Sequence, residues 1–241
     1  MLYIQKKKAS AAVSKEINRI KEENNWDNLD YKNTQVIRSV FDMLDKETIR
    51  TQLLEEQGSL CAYCMRKISN NDKTTIEHFI PITLDGKLAL NYKNMLACCD
   101  GGRGSTDKNK ILSCDAAKGD QSITISPLIK EHVDKIRYNK DGFIHLYPED
   151  DKLMQDIKDV LKLNGEYDDD GNYLSDTSTM IVSGRRQAYS KAQQIIAGLA
   201  KRKKLNEATI RKMIEDIKSA SEKEEYAGVL LYVLRRKLRE I

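Results

Sequence analysis

Several features are scarce or missing in this chain of 241 residues. No run approaches the roughly 20 apolar residues that cross a bilayer, and the first residues lack the apolar centre of a signal peptide. We therefore expect a cytoplasmic protein with no membrane contact. Histidine is also rare, with three residues in total, which gives each of them more weight as a candidate functional group.

Charge of one sign is not in large excess. The chain has 41 Lys and Arg against 37 Asp and Glu, a formal net charge of +4, which by itself does not indicate a nucleic-acid-binding protein. The basic residues form short runs at Lys6–Lys8, Lys108/Lys110, Lys201–Lys204 and Arg235–Lys237. Each run alone predicts a solvated surface more readily than a phosphate contact.

Apolar periodicity predicts an N-terminal helical segment over residues 1–57. Ser10 is a candidate N-cap for the first helix, Asp45 begins a later one, and Gly58 ends it. The apolar residues that recur at three- and four-residue spacing include Val13, Ile17, Ile20, Ile37, Val40, Ile49 and Leu53.

A second set of helices is predicted on the C-terminal side. Residues 129–165 form an extension with a hairpin around Lys140-Asp141-Gly142 and one helix, and the polar residues 166–177 predict a loop or linker. Residues 178–241 predict helices near 180–203, 206–219 and 221–239. The last of these has an apolar stripe, which indicates either a small helical bundle or a docking surface for a partner.

All five cysteines lie in residues 58–128, where helical periodicity disappears. An odd number in a reducing compartment argues against disulfides, and Cys61-Ala-Tyr-Cys64 lets two thiolates face one metal ion. The second pair must come from Cys98, Cys99 and Cys114. Because neighbouring cysteines do not easily share one tetrahedral site, we expect either Cys98 or Cys99 to be a ligand and the other a small buried apolar residue. A thiol redox role for the first pair lacks the expected βαβ context.

An acidic residue and a histidine stand next to each other in the same segment. Residues 75–81 predict a short strand that ends at Pro81, with Glu77 and His78 on opposite faces. A twist or turn at the proline can still bring both side chains to one site. His78 is the sole histidine within the cysteine-rich segment.

These elements together resemble the HNH endonucleases, which have a ββα-metal fold. The elements that carry the resemblance over residues 58–128 are Cys61-x-x-Cys64, Glu77-His78-x-x-Pro81, Asn94-Met-Leu-Ala-Cys98-Cys99 and Cys114-Asp115-Ala-Ala-Lys118. The resemblance implies an α+β, mostly helical protein. Its central zinc-stapled ββα-metal core would be flanked by N-terminal helices and a C-terminal helical bundle.

The resemblance also implies roles for individual residues. The structural zinc ligands would be Cys61, Cys64, Cys99 and Cys114, which leaves Cys98 out. His78 would be the general base, while Glu77 and Asp115 would hold a catalytic Mg²⁺ or Mn²⁺. Asn94 would fix a loop or orient His78. Lys118 would contact phosphate, or else lie on a helix surface.

Two features depart from the family pattern. Asp115 stands where the family usually has His or Asn, although a carboxylate also suits Mg²⁺ or Mn²⁺. A long insertion containing Gly101-Gly-Arg-Gly-Ser105 separates Cys99 from Cys114. It predicts either a flexible surface loop or a backbone approach to nucleic acid with Arg103 on phosphate.

More narrowly, the motifs resemble the HNH component of Septu-type anti-phage defence systems (PtuB-like proteins), some of which accompany retrons. That resemblance implies a nuclease acting on nucleic acid, with DNA the expected target. It also implies a partner ATPase of the ABC/SMC-like type within a higher-order complex. The alternative is a zinc-stapled nucleic-acid-binding or scaffold module without nuclease activity.

Overall fold

A computed structural model describes all residues from 1 to 241. The protein is mixed α+β and mostly helical, with three two-stranded antiparallel sheets. The helices are α1 (Ala11–Glu23), α2 (Thr34–Asp42), α3 (Lys46–Gln57), α4 (Cys114–Lys118), α5 (Lys130–Lys135), α6 (Asp151–Gln155), α7 (Ile181–Lys201), α8 (Glu207–Ser219) and α9 (Ala227–Leu238). The strands are β1 (Thr75–His78), β2 (Met95–Cys98), β3 (Ile136–Tyr138), β4 (Ile144–Leu146), β5 (Glu166–Tyr167) and β6 (Tyr173–Ser175).

The N-terminal helices begin and end at residues whose local chemistry predicts those boundaries. The Ser10 hydroxyl accepts a hydrogen bond from the amide of Val13 at the start of α1. Asp45 caps α3 in the same way, and Gly58 ends it in the left-handed region with φ 64°. The predicted N-terminal helices are therefore confirmed.

The central segment pairs β1 with β2 and then returns to the short helix α4. In this hairpin Glu77 lies opposite Leu96, and His78 lies opposite Met95. The buried amide of Gln57, the last residue of α3, accepts a hydrogen bond from Ala97 N and donates one to Ala97 O, each at 2.8 Å. This contact fixes the N-terminal helices against β2.

The extension after α5 contains the predicted hairpin, β3–β4, with Gly142 at φ 92° in its turn. The predicted helix also forms, with α6 continuing as one π-helical turn over Asp156–Val160. The prediction of a loop over residues 166–177 is wrong in part, because β5 and β6 pair there. Asp168 closes their turn by accepting a hydrogen bond from Asn172 N at 2.7 Å.

The three C-terminal helices pack on one another, as the bundle alternative predicts. The apolar stripe of α9 is largely buried, through Val229, Leu230, Val233 and Leu234. It faces α7 and α8 of the same chain. The last helix begins at Ala227 and not near residue 221, because Tyr226 takes a left-handed conformation with φ 57°.

One apolar core of 48 buried residues runs from Met1 to Val233 and includes residues from most of the helices and strands. Arg185 in α7 is completely enclosed and donates from Nε to the carbonyl of Gly142 at 2.6 Å, which ties α7 to the β3–β4 turn. No helix combines the length and apolar character that a bilayer crossing requires.

Candidate metal centre and adjoining cavity

Four cysteines meet in the interior. The Sγ atoms of Cys61, Cys64, Cys99 and Cys114 all lie within 4.8 Å of one another, and all four residues are buried. The Sγ atoms of Cys64 and Cys99 are 3.8 Å apart. A tetrahedral zinc site with Zn–S bonds of about 2.3 Å has S–S edges of about 3.8 Å. The cluster therefore fits a metal ion such as zinc, and its members are the four predicted ligands.

The backbone around the first pair forms a tight turn that presents both sulfurs to one point. Cys61 N donates to Arg66 O at 2.9 Å, and Met65 N donates to Cys61 O at 3.1 Å. Arg66 N lies 3.4 Å from the Sγ of Cys64 and donates to it. A backbone amide aimed at the sulfur favours the thiolate form that a metal ion requires.

Cys98 lies outside this cluster, as predicted. It is the last residue of β2, where it pairs with Thr75 of β1. Its side chain is fully buried, and burial raises the pKa of the Cys98 thiol well above its ordinary value. It is therefore a neutral, small, apolar residue.

A polar cavity of about 270 Å³ opens beside the cysteine cluster. The two sites adjoin along the chain, because Cys114 is a member of the cluster and Asp115, the next residue, lines the cavity. The charged and histidine side chains that line it are Arg38, Asp42, Glu77, His78, Arg103, Asp115 and Asp120. Strand β1, helix α2, helix α4 with the turn that follows it, and the loop between β2 and α4 supply these residues.

The imidazole of His78 is held in one orientation. Its Nε2 lies 2.9 Å from the carbonyl oxygen of Ala89, and the ring meets Phe41 edge-on at 4.5 Å between centroids. Because a carbonyl oxygen only accepts hydrogen bonds, Nε2 carries the proton and Nδ1 has the free lone pair. Burial lowers the pKa of His78 to about 4, so the ring is neutral near pH 7.

The carboxylate of Glu77 is buried among three titratable groups. Lys118 Nζ lies 2.7 Å from its Oε1, and the Tyr63 hydroxyl donates to the same oxygen at 3.0 Å. Burial raises the pKa of Glu77 to about 8, and the adjacent Asp115 carboxylate adds to the rise while Lys118 opposes it. The carboxyl pair of Glu77 and Asp115 therefore retains a proton near neutral pH.

Asp115 is the more acidic member of that pair. Burial acts to raise its pKa, but hydrogen bonding with Glu77, Arg103 and Thr75 lowers the pKa below its ordinary value. Thr75 Oγ1 and Arg103 Nη1 both contact Oδ2, at 3.1 and 2.9 Å. Apart from the proton that the two carboxyl groups share, Oδ1 of Asp115 and Oε2 of Glu77 receive no hydrogen bond from the chain. A cation that displaces this proton can therefore bind both oxygens.

Asn94 fixes the loop that follows β1. Its Oδ1 accepts from Ile80 N at 2.8 Å, and its Nδ2 donates to Ile80 O at 2.9 Å and to Leu88 O at 3.5 Å. Two roles were expected for Asn94, fixing a loop or orienting His78. The hydrogen bonds to Ile80 and Leu88 match the first role, and Asn94 makes no hydrogen bond to His78. The link is indirect, because Leu88 precedes the Ala89 carbonyl that holds the imidazole.

Lys118 is in neither of its two expected places. Its side chain is fully buried, so it does not lie on a helix surface and does not reach solvent as a phosphate contact would. Besides the ion pair with Glu77, Nζ donates to His78 O at 3.2 Å. Helix α4 has only five residues, and its last residue points beneath β1.

The glycine-containing insertion is not a flexible surface loop at its start. Gly101 has φ 60°, and a side chain there would collide with the Ser113 carbonyl and with Ala116. Close packing against the turn that begins α4 therefore explains Gly101, while Gly102, also buried, has φ 91°. Arg103 follows them at the cavity wall, bound to Asp115.

Some cavity residues escape sequence reasoning. Arg38 and Phe41 come from α2, and the Arg38 guanidinium pairs with Asp120 at 2.7 Å across 82 residues of sequence. Tyr63 lies between the first two cysteines and reaches Glu77. A possible signal was the position of Arg38 one turn before Phe41 on an amphipathic helix, but that pattern is common on any surface helix.

Comparison with known proteins adds no assignment. No protein-family model matches the chain, and no curated protein matches it.

Proposed function

We propose that the protein is a metal-dependent endonuclease of the HNH type, with a ββα-metal core formed by β1, β2 and α4. The observation that carries the proposal is a neutral His78 whose Nδ1 is free, beside a Glu77–Asp115 carboxyl pair in a cavity with two arginines. A binding module needs neither an oriented base nor paired carboxylates. The order of the two strands and the short helix, with the four-cysteine cluster beside them, supports the same proposal.

His78 is the general base of the proposed reaction. A water molecule in the cavity attacks the phosphorus atom while Nδ1 takes its proton, and the bond between phosphorus and the 3′ oxygen breaks. The leaving oxygen takes a proton from solvent. Because Ala89 O holds Nε2–H, the ring keeps the tautomer that accepts a proton at Nδ1.

Glu77 and Asp115 are the residues that would hold Mg²⁺ or Mn²⁺. Their free oxygens and their shared proton support this, since hard divalent ions prefer carboxylate oxygens and compete with protons for them. When bound, the ion supplies charge stabilisation to the phosphate oxygens and the leaving group. Lys118 and Tyr63 orient Glu77 by holding its other oxygen.

Arg38 and Arg103 supply positive charge to the same cavity. Each guanidinium is paired with an acidic residue, Asp120 or Asp115, and each is about half exposed. Guanidinium groups bind phosphate through two parallel N–H donors. We propose that the scissile phosphate contacts these arginines, with DNA as the substrate.

We also propose that the nuclease acts with an ATPase partner of the ABC/SMC-like type in anti-phage defence, as the Septu resemblance implies. Co-expression with an ATPase encoded beside it, followed by size-exclusion chromatography, tests this. A stable complex is expected, and its absence in the presence of ATP would remove this part of the proposal.

The nuclease proposal is tested by incubating the zinc-loaded protein with plasmid, single-stranded DNA and RNA, with added Mg²⁺ or Mn²⁺ and with EDTA. We expect cleavage of DNA that requires the added ion. His78→Ala should reduce the rate by about 10²- to 10⁴-fold, the usual contribution of a general base. His145→Ala is the matched control, because His145 is exposed on β4 and lies outside the cavity. Equal rates for the two variants would refute the assignment of the base.

A further inference from the structure

A basic run near the C-terminus is divided between two surfaces of α9. Arg236 and Lys237 pair with Glu240, and Arg236 also donates to the Tyr189 hydroxyl. Arg235 and Arg239, one helical turn apart, pair with no carboxylate in the chain. Their guanidinium groups are therefore not neutralised by an ion pair, unlike that of Arg236 between them.

The two free arginines face a third across a small cleft. Arg137 of β3 lines the same cavity, which has a volume of about 190 Å³. Its Nη1 donates to the carbonyls of Asp134 and Ile136, at 2.6 and 2.9 Å, and this fixes the guanidinium while its other nitrogens remain available. The one acidic residue of the lining, Asp134, is already paired with Lys130.

The remaining walls are mostly apolar or aromatic, and the Met1 amino group in them donates to the Tyr138 hydroxyl at 2.6 Å. Tyr138 and Tyr232 meet edge to face with ring centroids 5.8 Å apart, and the buried Met1 lies beside them. None of the residues lining this cleft lines the cavity that contains His78.

We propose that Arg137, Arg235 and Arg239 form a phosphate-binding site outside the candidate catalytic cavity. Three arginines on two elements line one small cleft, and each guanidinium can offer N–H donors to a ligand there. A tetrahedral phosphate accepts hydrogen bonds from several directions, so it can contact more than one guanidinium group. A planar carboxylate needs only one guanidinium, which binds it through two parallel N–H donors. The phosphate belongs either to a nucleic-acid backbone or to a free phosphate compound.

The site does not depend on the proposed nuclease activity, so binding and not cleavage is the measurement. Affinity for a labelled DNA duplex and a labelled single strand is measured at several salt concentrations, in a phosphate-free buffer without Mg²⁺ or Mn²⁺. Inorganic phosphate, a nucleoside monophosphate and polyglutamate are titrated in parallel by calorimetry. The test variant is Arg235→Gln/Arg239→Gln. Its charge-matched control is Arg202→Gln/Arg211→Gln, which removes two exposed arginines from α8 and the end of α7.

If the site binds the backbone, the test variant weakens DNA binding several-fold. It also lowers the slope of log affinity against log salt by about two, while the control variant lowers the slope less. If DNA binding matches the control but binding of phosphate or nucleotide is lost, the site takes a free phosphate compound. Equal behaviour of both variants toward all of these ligands overturns the proposal. Loss of binding to polyglutamate alone would also overturn it, in favour of an acidic protein partner.

Discussion

Two sites that share the β1–β2–α4 region differ in how completely their polar groups are satisfied. The four cysteines are enclosed, with exposures from 0% to 4%, and their sulfurs lie within 4.8 Å of one another. The adjoining cavity contains a histidine with a free nitrogen and two carboxylates with free oxygens. Structural metal sites are closed and catalytic sites keep open positions. The first site therefore has the closed form that suits a structural metal ion, and the second has the open positions that the proposed reaction requires.

The boundary between the two sites lies between Cys114 and Asp115. Cys114 has a left-handed backbone, with φ 57°, and its amide donates to Leu161 O at 2.9 Å. That anchored turn sends one side chain to the cysteine cluster and the next to the cavity. A metal ion bound by the four cysteines would thus also help to hold Asp115 in place.

The largest expected effect on stability follows from removing one cysteine of the four-cysteine cluster. Cys64→Ser should abolish zinc retention and lower the free energy of unfolding by several kcal/mol, because metal binding couples directly to folding. Metal content by atomic emission and thermal unfolding by circular dichroism measure both quantities.

Cys98→Ala is the matched control for that variant. It removes one buried sulfur outside the cluster, so it should retain one equivalent of zinc and lose only about 1 kcal/mol of stability. If both variants retain zinc equally, the four cysteines do not form the metal centre.

The next largest effect tests the buried ion pair beneath the cavity. Lys118→Met leaves the Glu77 carboxyl buried without its cation, and it should lower the free energy of unfolding by about 3 kcal/mol. Cleavage should also fall sharply, because loss of Lys118 raises the pKa of Glu77 further and a divalent ion then displaces its proton less readily. Urea unfolding and the plasmid assay measure the two effects.

The double variant Glu77→Gln/Lys118→Met separates the effects. Since the buried charge is gone, stability should recover, but cleavage should not. Recovery of cleavage in this double variant would show that Glu77 has no role in the reaction.

The pH dependence of stability gives a smaller effect, expected in protein that contains zinc but no Mg²⁺ or Mn²⁺. The pKa of Glu77 is raised to about 8 in the folded state. The folded protein therefore holds a proton that the unfolded chain releases above about pH 4.5, and the free energy of unfolding falls as pH rises toward 8. The pKa of His78 is lowered to about 4, so its contribution rises with pH between about 4 and 6.5.

The Glu77 and His78 trends oppose each other up to about pH 6.5. The buried Met1 amino group, whose pKa is lowered to about 4, opposes the Glu77 trend up to about pH 8. The test is therefore the difference between the unaltered protein and the Glu77→Gln variant. From pH 6.5 to 8 the Glu77 contribution to the free energy of unfolding should fall by on the order of 2 kcal/mol, and Glu77→Gln should remove most of that fall. Denaturant titrations at several pH values measure it, and an unchanged slope in the variant would contradict the assignment.

Local chemistry predicts the helix boundaries and the metal cluster well. Ser10, Asp45 and Gly58 act within one turn of their own position, and the Cys61–Cys64 turn depends on a few neighbouring residues. The choice of Cys99 over Cys98 came from the family pattern. Strand pairing gives it a physical reason, because Cys98 pairs with Thr75 within the sheet.

Contacts between segments that are distant along the chain could not be predicted from the sequence. In the sequence, Lys118 looks like any lysine on a polar helix. It is buried only because α4 packs against β1 in the folded protein. The β5–β6 hairpin has few apolar residues to indicate strands, and its turn depends on Asp168. Arg38 belongs to a helix that the apolar pattern assigns to architecture alone.

The smallest effect on stability is expected for a variant of Arg38. This residue lies on α2 and lines the cavity, so the open site includes part of the N-terminal helices. Its pair with Asp120 is half exposed on both sides, so Arg38→Gln should change the free energy of unfolding by less than about 0.5 kcal/mol. If the guanidinium contacts the substrate phosphate, KM for DNA should rise several-fold, and the rise should be larger at low salt, where charge contacts contribute most. Arg19→Gln is the control, because Arg19 forms surface ion pairs on α1 and does not line this cavity. An unchanged KM in Arg38→Gln would confine the open site to the β1–β2–α4 region and the loop that carries Arg103. A selective rise would mean that α2 has a part in the chemistry as well as in the core.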